Sequence, residues 1–426
     1  MGRIFEQYTQ KFPRSKELYE KSRTLFPNGV CHDIRNYPPF PVVTDRCEGI
    51  HMHDVDGNSI IDLWMGHYAN ILGHGTEAQK RGIERAMSAG VHHGTLNRYQ
   101  IEYAELVQQA VPELELMRLC TSGTEATMYV TRVARAFTGR HIIVKAEGGW
   151  HGGNSVLSTG VVPPFVKDND APEGQKTVSV PYNNVEKTAE ILRSYNDEIA
   201  AIIIEPMMGS GGGITASPAY LKLLRDFCDL TGTLLIFDEV ITGFRFRFGS
   251  IWTILGVKPD LFTFGKAAAG GIHIGIYGGR KDVMETITKQ KLFVGGGTYS
   301  ANPVAMCVGI ETLKELQKQD YEKLNAAGDA FRVQLGTMTA KLSFPAYVTG
   351  FGSFFCVHFT DERFDEITPQ IVMANSDKDR ENLFKAAMLI NNVFTMHSGG
   401  AFSFMHLDEM TNSKLTEAYR KSFEMI

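Results

Sequence analysis

Four short segments of the sequence place reactive side chains next to glycines, which leave room for a ligand to approach. In the first, residues 120–126 read CTSGTEA, and Ser122 and Glu125 have the spacing of a helix capping box. The N–H groups, hydroxyls and positive dipole of such a helix start would suit a phosphate group. An ordinary capped helix has the same pattern, so both interpretations stay open for this segment.

Two further segments place a charged side chain directly after an apolar run. Asp238 and Glu239 follow the run 234–237, and Lys266 comes just after the run 261–264. Ligands of open α/β sheets bind at the carboxyl ends of the strands, where these side chains are expected. A lysine in a tight apolar site has a lowered pKa and can form a Schiff base. The alternatives are a capping carboxylate and a solvated lysine at a strand end.

The fourth segment, residues 147–153, contains Trp150 and His151 between two pairs of glycines. The indole could stack on a flat ring, or it could be a half-buried side chain in a glycine-rich loop. In combination, a phosphate cradle, a stacking aromatic, a strand-end carboxylate and a strand-end lysine are the parts of a pyridoxal phosphate site. There the lysine would form the imine, and the aspartate would keep the pyridinium nitrogen protonated.

The elements that must position these segments alternate between strand-like and helix-like patterns from about residue 120 to 280. Ser217 and Pro218 start a helix that Gly232 ends, which gives a right-handed βαβ unit with the flanking strands. The strand-like runs lack alternation, as in a parallel sheet buried on both faces, and the sequence therefore predicts an open α/β domain. These runs are Ile142–Val144, Thr177–Val180, Ala201–Ile204, Leu234–Phe237 and Leu261–Phe264.

The flanking regions show a different pattern. A charged helix is expected at about residues 14–24, and the turn at 54–57 predicts a hairpin. Helical periodicity returns after residue 303, short strands follow, and the polar stretch 361–380 is expected to be solvent-exposed. The two chain ends therefore predict one smaller α+β domain beside the sheet domain. The predicted parts are a large domain, residues 61–300, and a smaller domain made from residues 1–60 and 301–426.

Composition and charge exclude several classes of protein. With 426 residues, 43% of them hydrophobic, the chain is neither disordered nor collagen-like. The net charge of −5 gives no support for nucleic-acid binding, and no apolar run reaches the roughly 18 residues of a membrane helix. The six cysteines form no CxxC pair, which argues against a metal clip and fits a reducing compartment. We therefore expect a cytoplasmic protein without membrane, nucleic-acid or metal partners.

In combination, these segments resemble the class III aminotransferases, a pyridoxal-phosphate-dependent family of fold type I. The resemblance is strongest to the branch that contains glutamate-1-semialdehyde aminomutase and related β-amino acid and D-phenylglycine aminotransferases. It implies an α/β fold with a mostly parallel seven-stranded sheet domain and a smaller α+β domain. It is carried by ILGHG at 71–75, TSGTEAT at 121–127, RAFTGR at 135–140, WHG at 150–152, IIEPM at 203–207, LLIFDEVITGFR at 234–245, PDLFTFGKAAAGG at 259–271 and GTYSANP at 297–303.

The resemblance also implies roles for individual residues. Lys266 would form the Schiff base and move the proton, and Asp238 would pair with the pyridine nitrogen. Thr298 resembles a threonine that reaches the phosphate of the neighbouring subunit, which implies a homodimer with shared active sites. Arg35 would bind a substrate carboxylate, and His67 would also line the substrate pocket. The other implied cofactor contacts are Ser122, Gly123 and Thr124 at the phosphate, Trp150 and Val240 on the two ring faces, and Glu205 near the cofactor's edge.

The substrate pocket departs from the family pattern. Residues 90–100 lack the usual aminomutase signature, and neither the aminomutase glutamate nor the arginine of the β-phenylalanine enzymes is found near 397–400. We therefore predict ping-pong transfer between an amino acid, with β- and D-aromatic amino acids as options, and a 2-oxo acid. An intramolecular glutamate-1-semialdehyde 2,1-aminomutase is the alternative, and a racemase is less favoured. His92 and His397 could line the pocket, and the stretch 153–175 is predicted to be a lid.

Two other classes of protein fit the sequence poorly. A nicotinamide dehydrogenase also uses an α/β sheet, but no GxGxxG fingerprint follows a first strand here. A non-catalytic relative that only binds ligands would be expected to lose the lysine or the phosphate cradle, and both Lys266 and residues 122–124 are present.

Overall fold

The computed structural model describes residues 2–158, 160, 176–292, 294–396 and 398–426. The strands are β1 (Thr44–Glu48), β2 (His51–Asp54), β3 (Ser59–Asp62), β4 (Leu116–Cys120), β5 (Ile142–Ala146), β6 (Thr177–Val180), β7 (Ile199–Ile204), β8 (Met207–Met208), β9 (Ile214–Thr215), β10 (Leu234–Glu239), β11 (Leu261–Gly265), β12 (Gly275–Gly279), β13 (Ala346–Phe351), β14 (Phe354–Phe359), β15 (Val393–Phe394) and β16 (Gly399–Ala401).

The helices alternate with the strands in the middle of the chain and dominate its two ends. They are α1 (Gly2–Lys11), α2 (Pro13–Ser22), α3 (Met65–Tyr68), α4 (Glu77–Ala89), α5 (Arg98–Ala110), α6 (Gly123–Thr138), α7 (Val185–Ser194), α8 (Pro218–Thr231), α9 (Trp252–Leu255), α10 (Lys281–Met284), α11 (Thr286–Lys289), α12 (Pro303–Leu316), α13 (Tyr321–Thr339), α14 (Pro369–Asn375), α15 (Lys378–Ile390) and α16 (Glu409–Met425).

The largest sheet has seven strands in the order β4-β12-β11-β10-β7-β5-β6. All neighbouring pairs are parallel except those of β12, which is antiparallel to both β4 and β11. Along β7, Ile203 packs toward α6, whereas Ile202 and Ile204 pack toward α8. Helices therefore cover both faces, which is why these strands are apolar without alternation. The predicted α/β fold with a mostly parallel seven-stranded sheet is confirmed.

The predicted βαβ unit around α8 also forms. Ser217 accepts a hydrogen bond from the Tyr220 N–H and caps the helix, and Gly232 ends it in the left-handed conformation. The apolar stripe of α8 is buried against the sheet. This helix therefore has the start, end and buried face that its sequence predicts.

Both ends of the chain contribute to a smaller sheet of order β1-β2-β3-β15, with the predicted hairpin between β2 and β3. The C-terminal part alone forms a sheet of order β13-β14-β16, and β8 and β9 pair with each other. The Lys11 ammonium donates to the Ile390 carbonyl at 2.6 Å, which ties α1 to α15. The predicted domain boundary between residues 60 and 61 falls inside β3. The exact division of the chain into two domains stays a prediction.

The charged helix expected at about residues 14–24 is confirmed as α2, which begins at Pro13 and ends at Ser22, with α1 directly before it. One expectation for the flanking regions is wrong. The stretch 361–380 is not solvent-exposed throughout, because α14 buries Pro369 and Val372. Residues 159 and 161–175, which make up most of the predicted lid, lie outside the described residues.

In the described ranges, no helix is both long and apolar enough to cross a membrane.

Candidate active site

A cavity of about 430 Å³ lies at the carboxyl ends of β10 and β11. The sheet brings most of the predicted site to this one place, although the residues come from widely separated parts of the chain. The predicted residues that line the cavity are Arg35, His67, Ser122, Gly123, Thr124, Trp150, Glu205, Asp238, Val240 and Lys266.

Asp238 is buried at the end of β10 and is held by three hydrogen bonds. Its Oδ2 lies 2.7 Å from Nδ1 of His151. Its Oδ1 accepts from the Thr263 hydroxyl at 2.9 Å and from the Val240 N–H at 3.1 Å. Thr263 is the residue directly beside Asp238 on the neighbouring strand β11. The carboxylate is therefore fixed in position before any ligand arrives.

His151 was given no role by the sequence, and the structure makes it the partner of Asp238. The imidazole is buried, and its Nε2 has no hydrogen-bond partner among the described residues. The signal was present, because His151 follows β5, whose carboxyl end lies on the same sheet edge as that of β10. A buried ring nitrogen without a partner indicates that a further group completes this site.

Lys266 directly follows β11 and has a φ of 46°, a left-handed conformation that non-glycine residues rarely adopt. Burial lowers the pKa of its ammonium, and the nearby carboxylates of Asp238 and Glu205 oppose that shift. A lowered pKa makes the neutral amine, which is the nucleophilic form, more accessible. The strained backbone at a cavity wall is also typical of functional residues.

The predicted phosphate cradle lies where α6 begins. Ser122 caps this helix by accepting from the Glu125 N–H at 3.2 Å. A Cβ on Gly152 would lie 2.7 Å from the Cα of Thr124, and a Cβ on Gly123 would lie 2.9 Å from Cγ1 of Val240. The backbone segments around the helix start therefore approach as closely as only glycine permits.

Glu205 positions the loop that carries the predicted stacking aromatic. Its Oε1 accepts from the Trp150 N–H at 2.8 Å, and its Oε2 accepts from the Gly209 N–H at 3.0 Å. Burial raises the pKa of this carboxyl, and the negative charge of Asp238 adds to the shift. Trp150 lines the cavity, and the stacking of its indole on a ring stays a prediction.

Another part of the cavity wall is formed by α3, a single turn of left-handed sense. Met65, Gly66, His67 and Tyr68 have φ values of 46°, 62°, 59° and 66°. Two contacts support the turn, since Asp62 accepts from the Met65 N–H at 2.9 Å and Arg245 donates to the Tyr68 carbonyl at 2.5 Å. The turn places Gly66 and His67 on the cavity.

Arg35 and His67 form a pair on this wall. Nε of Arg35 donates to Nε2 of His67 at 3.4 Å. Burial lowers the pKa of His67 to about 3, and the charge of Arg35 adds to the shift. The imidazole is therefore neutral near pH 7 and supplies the lone pair that Arg35 needs.

Some predicted residues do not line this cavity, and others that line it were not predicted. Thr298 is exposed and lies outside this cavity, and its contact with the neighbouring subunit's cofactor stays a prediction. His92 is also exposed, with its ring 5.4 Å from that of Tyr299, and His397 lies outside the described residues. His32 and His273 line the cavity without having been assigned to it.

The residues present fit pyridoxal phosphate. A lysine of lowered pKa, a fixed buried carboxylate and a capped helix start beside close-packed glycines all face one cavity. These are the groups needed to hold the aldehyde carbon, the ring nitrogen and the phosphate of this cofactor. The partnerless Nε2 of His151 supports a bound polar group close to Asp238.

The family model for class III aminotransferases matches residues 34–379. A glutamate-1-semialdehyde 2,1-aminomutase of Methanocella arvoryzae is 36% identical over 98% of this chain and 100% of its own length. A glutamate-1-semialdehyde 2,1-aminomutase 2 of Bacillus pumilus is 35% identical over 96% of each chain.

Solved structures give the same family. A β-phenylalanine aminotransferase from Variovorax paradoxus superposes with a TM-score of 0.88 at 28% identity, over 98% of this chain and 95% of the other. An ω-transaminase from Sphaerobacter thermophilus superposes with a TM-score of 0.88 at 27% identity, over 96% and 97% of the two chains. With the whole length covered and the lysine, carboxylate and cradle in one cavity, the chain belongs to the class III aminotransferases, a family of pyridoxal-phosphate-dependent enzymes.

Proposed function

We propose that this enzyme transfers an amino group between an amino acid and a 2-oxo acid, as a cytoplasmic homodimer. The observation that carries the proposal is the convergence of Lys266, the Asp238–His151 pair and the Gly152 cradle on one cavity. All six cysteines are free thiols, which supports a reducing compartment.

The proposed roles follow the positions of the side chains. Lys266 holds the cofactor covalently and acts as the proton carrier. Asp238, oriented by His151, pairs with the ring nitrogen. The remaining proposed contacts are Ser122, Gly123 and Thr124 at the phosphate, Trp150 and Val240 at the ring faces, Glu205 near the ring edge, Thr298 from the neighbouring subunit, and Arg35 and His67 at the substrate.

When bound, pyridoxal phosphate supplies a ring that accepts the electron pair released at the carbon bearing the amine. Lys266 would hold the cofactor through Nζ and, once freed by the incoming amine, would use the same Nζ to carry a proton away from the substrate carbon and back. Asp238 would keep the pyridine nitrogen protonated, because His151 and Thr263 hold its carboxylate in place. Ping-pong kinetics are expected, because the carbonyl product of the amino acid would leave before the 2-oxo acid binds.

Arg35 is proposed to bind the substrate carboxylate. Arg35 is exposed and lines the cavity, and its Nε is held by neutral His67. A guanidinium with its terminal N–H groups directed to a ligand gives bidentate recognition of a carboxylate.

The second candidate is a glutamate-1-semialdehyde 2,1-aminomutase, in which the amino group moves within one substrate molecule. Relatives that are 34–37% identical over most of this chain carry that name. The sequence near 397–400 lacks the aminomutase glutamate, which favours the transaminase.

Absorbance spectra test the enzyme and separate the two candidates. We expect the protein loaded with pyridoxal phosphate to show a visible imine band that Lys266→Ala abolishes and that the exposed control Lys289→Ala retains. A single amino acid should convert this band to that of the aminated cofactor, and a 2-oxo acid should restore it. If turnover requires glutamate-1-semialdehyde and no 2-oxo acid, the aminomutase is correct. The absence of an imine band in the loaded wild type would refute both candidates.

The homodimer is supported by apolar side chains that the single chain leaves in contact with water. Leu96 is 73% exposed, Met87 67% and Tyr299 59%. Light scattering is expected to give twice the chain mass of 47.3 kDa. Mixing inactive Lys266→Ala subunits with Thr298→Val subunits should create one intact shared site per hybrid dimer and restore activity. A lack of recovery in confirmed hybrids would contradict shared sites.

A further inference from the structure

A second cavity of about 420 Å³ adjoins the active site. The two cavities share the side chains of Lys266 and Trp150, together with His32, His67 and Ile241. A molecule held at Lys266 could therefore extend into the second cavity. The residues on the far wall of the second cavity indicate which chemical group of that molecule would bind there.

The far wall is one face of α15. Lys378, Asn382 and Lys385 all line the cavity, and their spacing of four and then three residues places them on the same side of the helix. Lys378 is the first residue of α15, so the positive end of the helix dipole lies at the same wall. All the charges that α15 presents to this cavity are therefore positive.

Lys385 has an unusual environment for a lysine. Its Nζ lies 3.5 Å from Sδ of Met396 and 4.7 Å from the ring centre of Tyr37. Among the described residues, no carboxylate oxygen lies within 4.0 Å of this ammonium and no carbonyl accepts from it. By contrast, Lys378 on the same face is paired with Glu381 at 3.0 Å.

The Lys385 ammonium is half-buried against a thioether and an aromatic ring, and the Glu381 carboxylate acts on it only from beyond ion-pair distance. These contacts replace only part of the lost hydration, so the ammonium would gain from a directly bound anion. Burial lowers the pKa of Lys385 to about 8, which leaves it largely protonated at pH 7. Among the described residues that line this cavity, Asp33 carries the carboxylate, and its side chain is exposed to solvent. A ligand anion would give Lys385 the partner that it lacks.

We propose that the substrate carries a second anionic group and that Lys385 binds it. This inference rests on the proposed function and deepens it. Arg35 holds the first carboxylate beside Lys266, and Lys385, with the Asn382 amide next to it, holds the second. The substrate class is then an acidic amino acid and the corresponding dicarboxylic 2-oxo acid.

Binding of an inert dicarboxylate tests the proposal without requiring turnover. Glutarate has two carboxylates and neither an amine nor a ketone, and pentanoate has the same chain length with one carboxylate. We expect the cofactor-loaded wild type to bind glutarate more tightly than pentanoate by roughly 10- to 100-fold, measured by calorimetry at pH 7. Succinate and adipate extend the series in case the two cations are closer together or farther apart.

The variants assign the effect to one side chain. Lys385→Met removes the charge at nearly constant volume next to Met396 and should abolish the preference for dicarboxylates, whereas Lys385→Arg should keep most of it. Lys222→Met, at a lysine that is 73% exposed on α8, is the control and should bind like the wild type. If Lys385→Met does not fold, Lys385→Gln replaces it. A wild type without any dicarboxylate preference, or a Lys385→Met protein that keeps it, would overturn the proposal.

Kinetics separate this inference from the proposed function. Lys385→Met should raise KM for 2-oxoglutarate but not for 2-oxopentanoate, with kcat nearly unchanged. Turnover without a difference between these two acceptors would contradict the role of Lys385 and leave the transaminase standing. Tight glutarate binding in a protein that does not transaminate would contradict the transaminase and keep the anion site.

Discussion

Nδ1 of His151 lies 2.7 Å from Oδ2 of Asp238, and both side chains are buried. The imidazole therefore fixes the orientation of the carboxylate. His151→Leu is expected to lower kcat by roughly 10- to 100-fold, as removal of an outer partner does in comparable sites, and to shift the absorption maximum of the bound cofactor. His151→Asn, whose amide can replace Nδ1, should keep most of the activity. Equal kcat and spectra in His151→Leu and the wild type would show that Asp238 does not need this partner.

The close packing of Gly152 against Thr124 should be needed for tight binding of pyridoxal phosphate. Gly152→Ala places a Cβ 2.7 Å from the Cα of Thr124 and requires an alanine at a φ of +86°. Both effects disturb the start of α6, at a combined cost of about 1–3 kcal/mol, so pyridoxal phosphate should bind at least about fivefold more weakly. The neighbouring Gly153 meets nothing within 4 Å, and Gly153→Ala is therefore the matched control. Fluorescence titration of both variants measures the difference. Similar affinities in the two would argue against the proposed cradle.

Arg35 should act on substrate binding rather than on chemistry. Arg35→Met is expected to raise KM for the amino acid by roughly 10- to 100-fold, because a charge-assisted bidentate contact is lost. The rate with an amine that lacks a carboxylate should stay nearly constant. A loss of equal size for both substrates would indicate that Arg35 supports the fold of this wall instead.

Two buried histidines should make the protein less stable in acid. Burial lowers the pKa of His358 and of His406 from 6.5 to about 4. Between pH 6.5 and 4 the unfolded chain binds protons that the folded chain excludes, so stability falls as pH drops through this window. Each histidine should lower the free energy of unfolding by up to about 1.4 kcal/mol for each pH unit within this window.

Urea unfolding at several pH values measures this slope. His358→Gln and His406→Asn, which keep a donor at Nε2 and an acceptor at Nδ1 respectively, should each reduce it. The exposed His92→Gln is the control and should leave the slope as it is in the wild type. A slope unchanged in both buried variants would contradict the assignment.

Much of the large domain was predictable because its signals are local. The buried strands β5, β7 and β10 are apolar runs, and α8 has a cap, a stripe and a glycine end. β12 escaped prediction because it reads GIYGG, and its glycines serve close approach rather than strand propensity. A Cβ on Gly275 would lie 2.1 Å from the Ser122 carbonyl, so the strand is defined by its neighbours.

The cofactor side of the site was predictable for a similar reason, since Asp238 lies at the end of the buried strand β10, Lys266 directly follows the buried strand β11, and Ser122 caps α6. The partnership of His151 with Asp238 depends on strand order, which the sequence does not display. Asn382 and Lys385 on α15 were given no role from the sequence, because polar and charged side chains on a helix are mostly exposed to solvent. Only the packing of α15 against Met396 and Tyr37 shows that Lys385 faces a cavity.

The left-handed turn at Met65–Tyr68 limits which substitutions can alter the substrate specificity of this enzyme during evolution. Three of its four residues carry a Cβ, and each such residue costs about 1–2 kcal/mol in this conformation. Asp62 and Arg245 hold the turn in that state, so its wall is rigid before substrate arrives and few side chains are tolerated there. Selection for new substrates should therefore leave this wall unchanged and accumulate substitutions on the cavity face of α15, a regular helix whose backbone accepts most residue types without strain.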